Sequence, residues 1–223
     1  MDWTEHIDAY CERTDPSYWS EPINAVTNAA FLIAAVIMWR RCEGLVWGRV
    51  LAFVLGMIGI GSYLFHTHAQ PWAALLDVTP IMMYALTYIF LANRDFWGCR
   101  PWIAALGAAA YIPYSMALTP LFEALPFFSI SSFYWPLPTL IFAYAFLLRN
   151  RATDTALNLA IGAAILCVSL TARSIDEPLC AAIPLGTHFL WHILNGIMLG
   201  WMIETWRRHV TSSAHKYAGE REG

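Results

Sequence analysis

Three histidines, one aspartate and one serine carry the chemistry open to this sequence. His188 and His192 stand four apart, which sets both imidazoles on one helix face where they can grip a single ion. His66, far upstream, completes a set of three nitrogen donors. Three neutral imidazoles and one open position describe a catalytic zinc centre, in which the ion lowers the pKa of a water to about 7 and polarises a carbonyl. Ser62 lies four residues before His66, so its hydroxyl can point at the same ion or at a developing oxyanion. Asp77 can hold the nucleophilic water and move its proton. Phe189, Leu190 and Trp191 include no glutamate, so the zinc-peptidase helix is not matched and a distant carboxylate must act as base. Residues four apart on one helix cannot take opposite axial positions on a haem. The competing structural readings are a helix cap for Asp77 and a bond to its own backbone for Ser62. His68 leaves the helix face, and His6, His209 and His215 read as interfacial side chains.

A membrane bundle must position these groups. The chain has 223 residues, of which 58% are hydrophobic and only 13% charged, against about 25% charge in a soluble domain. A net charge of -3 without a basic stripe excludes nucleic acid as a partner. A spanning helix needs about 20 mainly apolar residues. Seven windows qualify, at 22–39, 47–66, 75–93, 102–118, 132–148, 155–172 and 184–206. Eleven of the thirteen Lys and Arg fall in alternate loops on one side, leaving Arg13 and Arg173 on the other. Positive charge is retained on the cytoplasmic side. The expected fold is therefore an all-α membrane protein: an acidic outer segment at 1–21, seven transmembrane helices at 22–206 with the N-terminus outside, and a cytoplasmic tail at 207–223. The acidic start lacks an apolar core, so it reads as part of the mature chain rather than a signal peptide.

Ionisable groups inside a bilayer are costly, and alternate threading collects them at one depth. The end of the second span, the start of the third and the start of the seventh all lie at the outer side, bringing Ser62, His66, Asp77, His188 and His192 level. Cys11 and Cys180 alone among five cysteines face that side, either as a disulfide or as two free thiols. Asp8, Glu12, Asp15, Trp19, Glu21, Asn24 and Asn28 could surround a hard cation, although their spacing alone favours a solvated lead-in. Arg173 and Asp176 read as a structural ion pair, and Trp47, Trp102 and Trp206 as interfacial anchors.

Together these residues resemble the alkaline ceramidase family, part of a superfamily of membrane hydrolases that includes the adiponectin receptors. The likeness rests on Ser62 and His66, on Asp77 eleven residues later, on the His188–His192 pair, and on Tyr10-Cys11-Glu12-Arg13 and Glu21-Pro22-Ile23-Asn24 near the start. It runs from about Asp8 to about Trp206. The resemblance implies a zinc amidase that cleaves ceramide into a sphingoid base and a fatty acid. It assigns zinc to His66, His188 and His192, proton transfer to Asp77 and oxyanion stabilisation to Ser62. It further implies a Cys11–Cys180 disulfide and a calcium ion near the N-terminus. Ala9 and Thr14 stand where oxygen ligands are expected, leaving Glu12, Glu21 and Asn24, with Asp8, as the calcium candidates. The competing classes are a seven-span receptor or sensor with a metal site, and a transporter using Asp77 and the histidines as a proton relay. Structural zinc takes four protein ligands rather than three. Transport calls for polar groups through the full depth of the bundle.

Overall fold

The computed structural model describes residues 2–222, with side chains through Ser212. Met1 and Gly223 lie outside the described residues, as do the side chains of His215, Lys216 and Arg221. Among the described residues nine α-helices stack as seven rods. These are α1 (Pro22–Thr27) running into α2 (Ala29–Arg41), α3 (Val46–His68), α4 (Pro71–Leu91) with a π turn over Ala92–Phe96, α5 (Pro101–Ala109) running into α6 (Tyr111–Glu123), α7 (Pro136–Leu148), α8 (Thr153–Ser174) and α9 (His188–Glu222). Each rod packs on the next, and α9 closes the ring against α2 while touching α3.

Five described segments are long and apolar enough to cross a bilayer: Pro22–Arg41, Val46–His68, Pro71–Phe96, Pro101–Glu123 and Thr153–Ser174. The outer faces present Val26, Ile33, Phe53, Met116, Phe146 and Val168, while His66, His192, Asn28 and Ser169 are buried. Apolar outside and polar inside is the arrangement that lipid demands of an integral, multi-pass protein. The fifth predicted window is shorter than expected. Prolines 136 and 138 set the start of α7, because proline suits the first helical turn and not the interior, and its 13 residues reach only about 20 Å. The last helix starts at His188 rather than 184 and runs past 206 to Glu222. Trp206 also departs from its expected place at a membrane surface. It is buried, and its indole Nε1 donates to Asp95 Oδ2 at 2.6 Å.

Two local devices set the geometry of the buried polar end. Ala69 takes a left-handed conformation (φ 46°) that stops α3, and Pro71 starts α4 at once, so the two helices run antiparallel in close contact. Gly61 makes the approach possible, since a Cβ there would lie 2.1 Å from the Leu76 carbonyl oxygen, beside Asp77. Gly61→Ala must push backbone apart and is expected to destabilise by about 1–3 kcal/mol or more, seen as a lowered thermal midpoint in detergent. Gly56→Ala, whose Cβ would meet Ala35 at an ordinary 3.7 Å, is the matched control and should be neutral.

The second device starts α9. Asp176 Oδ1 accepts the backbone N–H groups of Thr187 (2.6 Å) and His188 (2.8 Å), and its Oδ2 accepts that of Cys11 (3.0 Å). Asp176 is thus a helix cap and not the ion-pair partner of Arg173 that proximity in sequence suggests. The orphan N–H groups at the start of the helix need an acceptor, and the Asp176 carboxylate supplies it. Arg173 turns instead to Ile130 O, Ser131 Oγ and Tyr10 Oη. A disulfide joins Cys11 to Cys180 with Cα atoms 5.3 Å apart, tying the N-terminal segment to the loop before α9.

Candidate metal centre and its cavity

His66 comes from the last turn of α3, and His188 and His192 from the first turns of α9. All three are essentially inaccessible, at 1%, 2% and 0% exposure. One nitrogen from each lies within 4.8 Å of the others. Tyr10 covers them from the N-terminal segment, its ring stacked on His188 at 3.7 Å and tilted over His66 at 5.2 Å.

The hydrogen bonds fix where the imidazole lone pairs point. His66 Nδ1 lies 2.6 Å from Glu21 Oε2, and a carboxylate can only accept, so Nδ1 carries the proton and Nε2 is left with its lone pair. His192 Nδ1 lies 2.9 Å from Thr27 Oγ1, whose single proton goes to the carbonyls of Ile23 (2.7 Å) and Asn24 (3.1 Å). That hydroxyl therefore accepts from His192 Nδ1–H, leaving a second lone pair on Nε2. The two Nε2 atoms face each other at 3.0 Å. Two lone pairs at that distance in a dry interior repel unless a cation lies between them. His188 Nδ1 is buried and has no hydrogen-bond partner among the described residues. This donor set fits a metal ion such as zinc, which takes imidazole nitrogens whose other ring nitrogen is held by a carboxylate or hydroxyl.

Asp77 and Ser62 lie beside this cluster rather than in it. Asp77 sits in the second turn of α4, since that helix begins at Pro71 and is preceded by Gln70, so it is not a cap. Ser62 and Asp77 line one cavity with Trp191 and Asn195, and His66 and Arg173 act electrostatically on Asp77. Asn195 Nδ2 is a buried donor without a partner among the described residues. Tyr84, Ala85, Leu137, Met198 and Leu199 line this cavity and also an adjoining apolar one that continues to Tyr88 and Tyr144. His68 stands apart, against Tyr18 and Trp72.

Two of the four calcium candidates, Glu12 and Glu21, are engaged elsewhere. Glu12 takes the N–H groups of Ile23 and Asn24 at 2.7 Å each, at the start of α1. Burial pushes its carboxyl above the usual range against those two bonds. Glu21 is buried between Arg13 Nε at 2.5 Å and the His66 ring, and also accepts from Asn24 Nδ2 at 3.1 Å. Burial works against the Glu21 charge, but the His66 bond, with Asn24 and Arg13, holds it below the ordinary range. Asp8 is exposed, near Tyr10 and Cys180. Asn24 Oδ1 and Asn28 Oδ1 are both buried without a partner among the described residues. Calcium takes six to eight oxygens, and a set in which Glu21 is paired with the Arg13 guanidinium and Glu12 with two backbone N–H groups does not fit it. Arg13, Tyr10, Thr27 and Asp176 are absent from the sequence-derived site. A sequence signal for Arg13 exists, since it is one of only two Lys or Arg residues that the loop charge pattern sets apart from the other eleven.

A ring of apolar helices closed over three buried imidazoles and a carboxylate defines a multi-pass membrane protein with a site suited to a metal. The chain belongs to the ceramidase family, whose model, described as Ceramidase, matches residues 4–220. Membership carries with it the reaction class, hydrolysis of a linear amide C–N bond, with ceramide as the family's substrate. No curated protein matches the sequence.

Proposed function

We propose that this chain is a zinc-dependent amidase that hydrolyses ceramide-type lipids to a sphingoid base and a fatty acid, with its site toward the non-cytoplasmic side. The observation that carries this reading is the pair of facing Nε2 atoms 3.0 Å apart, with a buried His188 nitrogen that has no partner among the described residues. Zinc held by His66, His188 and His192 supplies a Lewis acid for the amide carbonyl and a water of lowered pKa. Asp77 takes the proton from the attacking water as the new C–O bond forms, and returns it to the amine nitrogen as the C–N bond breaks. Ser62 donates its hydroxyl to the carbonyl oxygen as charge develops there. Asn195 offers its free amide N–H to a polar oxygen of the substrate. The calcium ion that the resemblance implies has no part in this scheme.

The apolar continuation of the cavity suits an acyl chain, since lipid tails bind where walls are apolar and a few polar groups fix the head. Tyr84 and Tyr88 keep that wall rigid by donating to the carbonyls of Leu199 (2.7 Å) and Met202 (3.0 Å). Ala85 lines both parts, so Ala85→Phe should block the passage. Turnover of a long-chain ceramide is expected to fall about tenfold or more while a six-carbon amide is retained, as each excluded methylene forfeits about 0.8 kcal/mol. Equal loss on both amides would remove the acyl assignment. The function itself is tested by incubating purified protein with long-chain ceramide and assaying sphingoid base. Release that stops on metal removal and returns with zinc is expected; release that persists without metal would refute the scheme.

A further inference from the structure

Arg13 is 6% exposed, and its guanidinium donates to three oxygens, one of them on a helix far along the chain. Nε donates to Glu21 Oε1 at 2.5 Å, Nη2 to the backbone carbonyl of His66 at 3.0 Å, and Nη1 to that of Asp15 at 3.1 Å. The His66 carbonyl is one of the last four of α3, which lack partners within the helix and favour a cation. The carboxylate that Arg13 holds also takes the His66 Nδ1 proton at 2.6 Å. One buried ion pair thus pins His66 twice, by its main chain and by its ring.

We propose that Arg13 is the built-in cation of the N-terminal segment. Through Glu21 it fixes the tautomer and direction of the His66 imidazole, and it claims the Glu21 carboxylate that the family resemblance implies for calcium. Arg13 is therefore a positioning residue, and metal binding at the histidines is independent of calcium. The planar fork suits this task, since its rigidly placed N–H donors meet a carboxylate and two carbonyls at once. Glu21 without Arg13 would be a buried carboxylate with only a neutral imidazole and an amide as partners.

This inference rests on the zinc reading, and zinc affinity measured by chelator competition on the purified full chain separates the two. Wild type that binds no zinc would sink the zinc reading itself. Given wild-type binding, Arg13→Gln and Glu21→Gln should each weaken zinc about 10- to 100-fold, the usual cost of losing the partner behind a metal-binding histidine. The double variant should lose clearly less than the product of the two single losses, because Arg13 acts on the ring through Glu21; a purely structural role for Arg13 would make the losses multiply. Arg13→Lys should recover part of the affinity. Adding calcium chloride or a calcium chelator should leave wild-type zinc affinity and thermal midpoint unchanged. Wild-type zinc affinity in Arg13→Gln, multiplying losses, or a zinc affinity that rises with calcium would each overturn the proposal. If Arg13→Gln does not fold, the isosteric Glu21→Gln and the calcium titration still decide, since unchanged zinc affinity in the first or calcium dependence in the second contradicts it.

Discussion

His188→Ala is expected to abolish bound metal and turnover together. The residue supplies one of three buried nitrogens that converge within 4.8 Å, and its removal leaves only the facing pair of His66 and His192. Loss of a group behind a ligand costs about 10- to 100-fold in metal affinity or activity, so loss of the ligand itself should exceed a hundredfold in both. Fold should persist, because the start of α9 is held by the Asp176 carboxylate on backbone N–H groups that alanine retains. Metal quantification and ceramide hydrolysis on the same monodisperse sample check this. Full metal content with full turnover would remove His188 from the site.

Asp77→Asn separates proton transfer from metal binding. Asp77 lines the cavity with Ser62 but is outside the histidine cluster, so the amide should keep the metal. A positioned general base contributes about 10²- to 10⁴-fold, and kcat should fall by that amount with zinc content unchanged. A base must be deprotonated to work, so wild-type kcat/KM should decline as pH falls through the Asp77 titration, and the residual activity of the Asn variant should lack that acidic limb. Retained rate, or lost zinc, would assign Asp77 a different role.

Much of this site is legible in the sequence because helical periodicity and alternate threading are strong constraints. A four-residue spacing fixes the face of His188 and His192, and the placement of span ends fixes their depth relative to His66 and Asp77. Breaks within rods are not legible: α1 gives way to α2 at Asn28, and α5 to α6 at Ala110, where a hydropathy window registers no change. Nor are the groups behind the histidines, since Glu21 meets His66 across 45 residues and Thr27 meets His192 across 165. An outward signal did exist in Glu21, an acid directly abutting a spanning segment, where an unpaired charge is costly and some partner is required. Asp176 illustrates the opposite case. Its neighbour Arg173 suggests an ion pair, whereas the start of α9 twelve residues later claims the carboxylate, and only the fold reveals that competition.

The most direct test of a shared ion among these imidazoles is X-ray absorption at the zinc edge on purified, zinc-loaded protein. One zinc per chain is expected, with three nitrogen neighbours of imidazole type at about 2.0–2.1 Å and one further light-atom neighbour. Histidine-specific scattering should fall to two rings in His188→Ala at forced zinc loading. A spectrum with sulfur neighbours, or with no imidazole scattering in the wild type, would contradict a three-histidine centre at His66, His188 and His192.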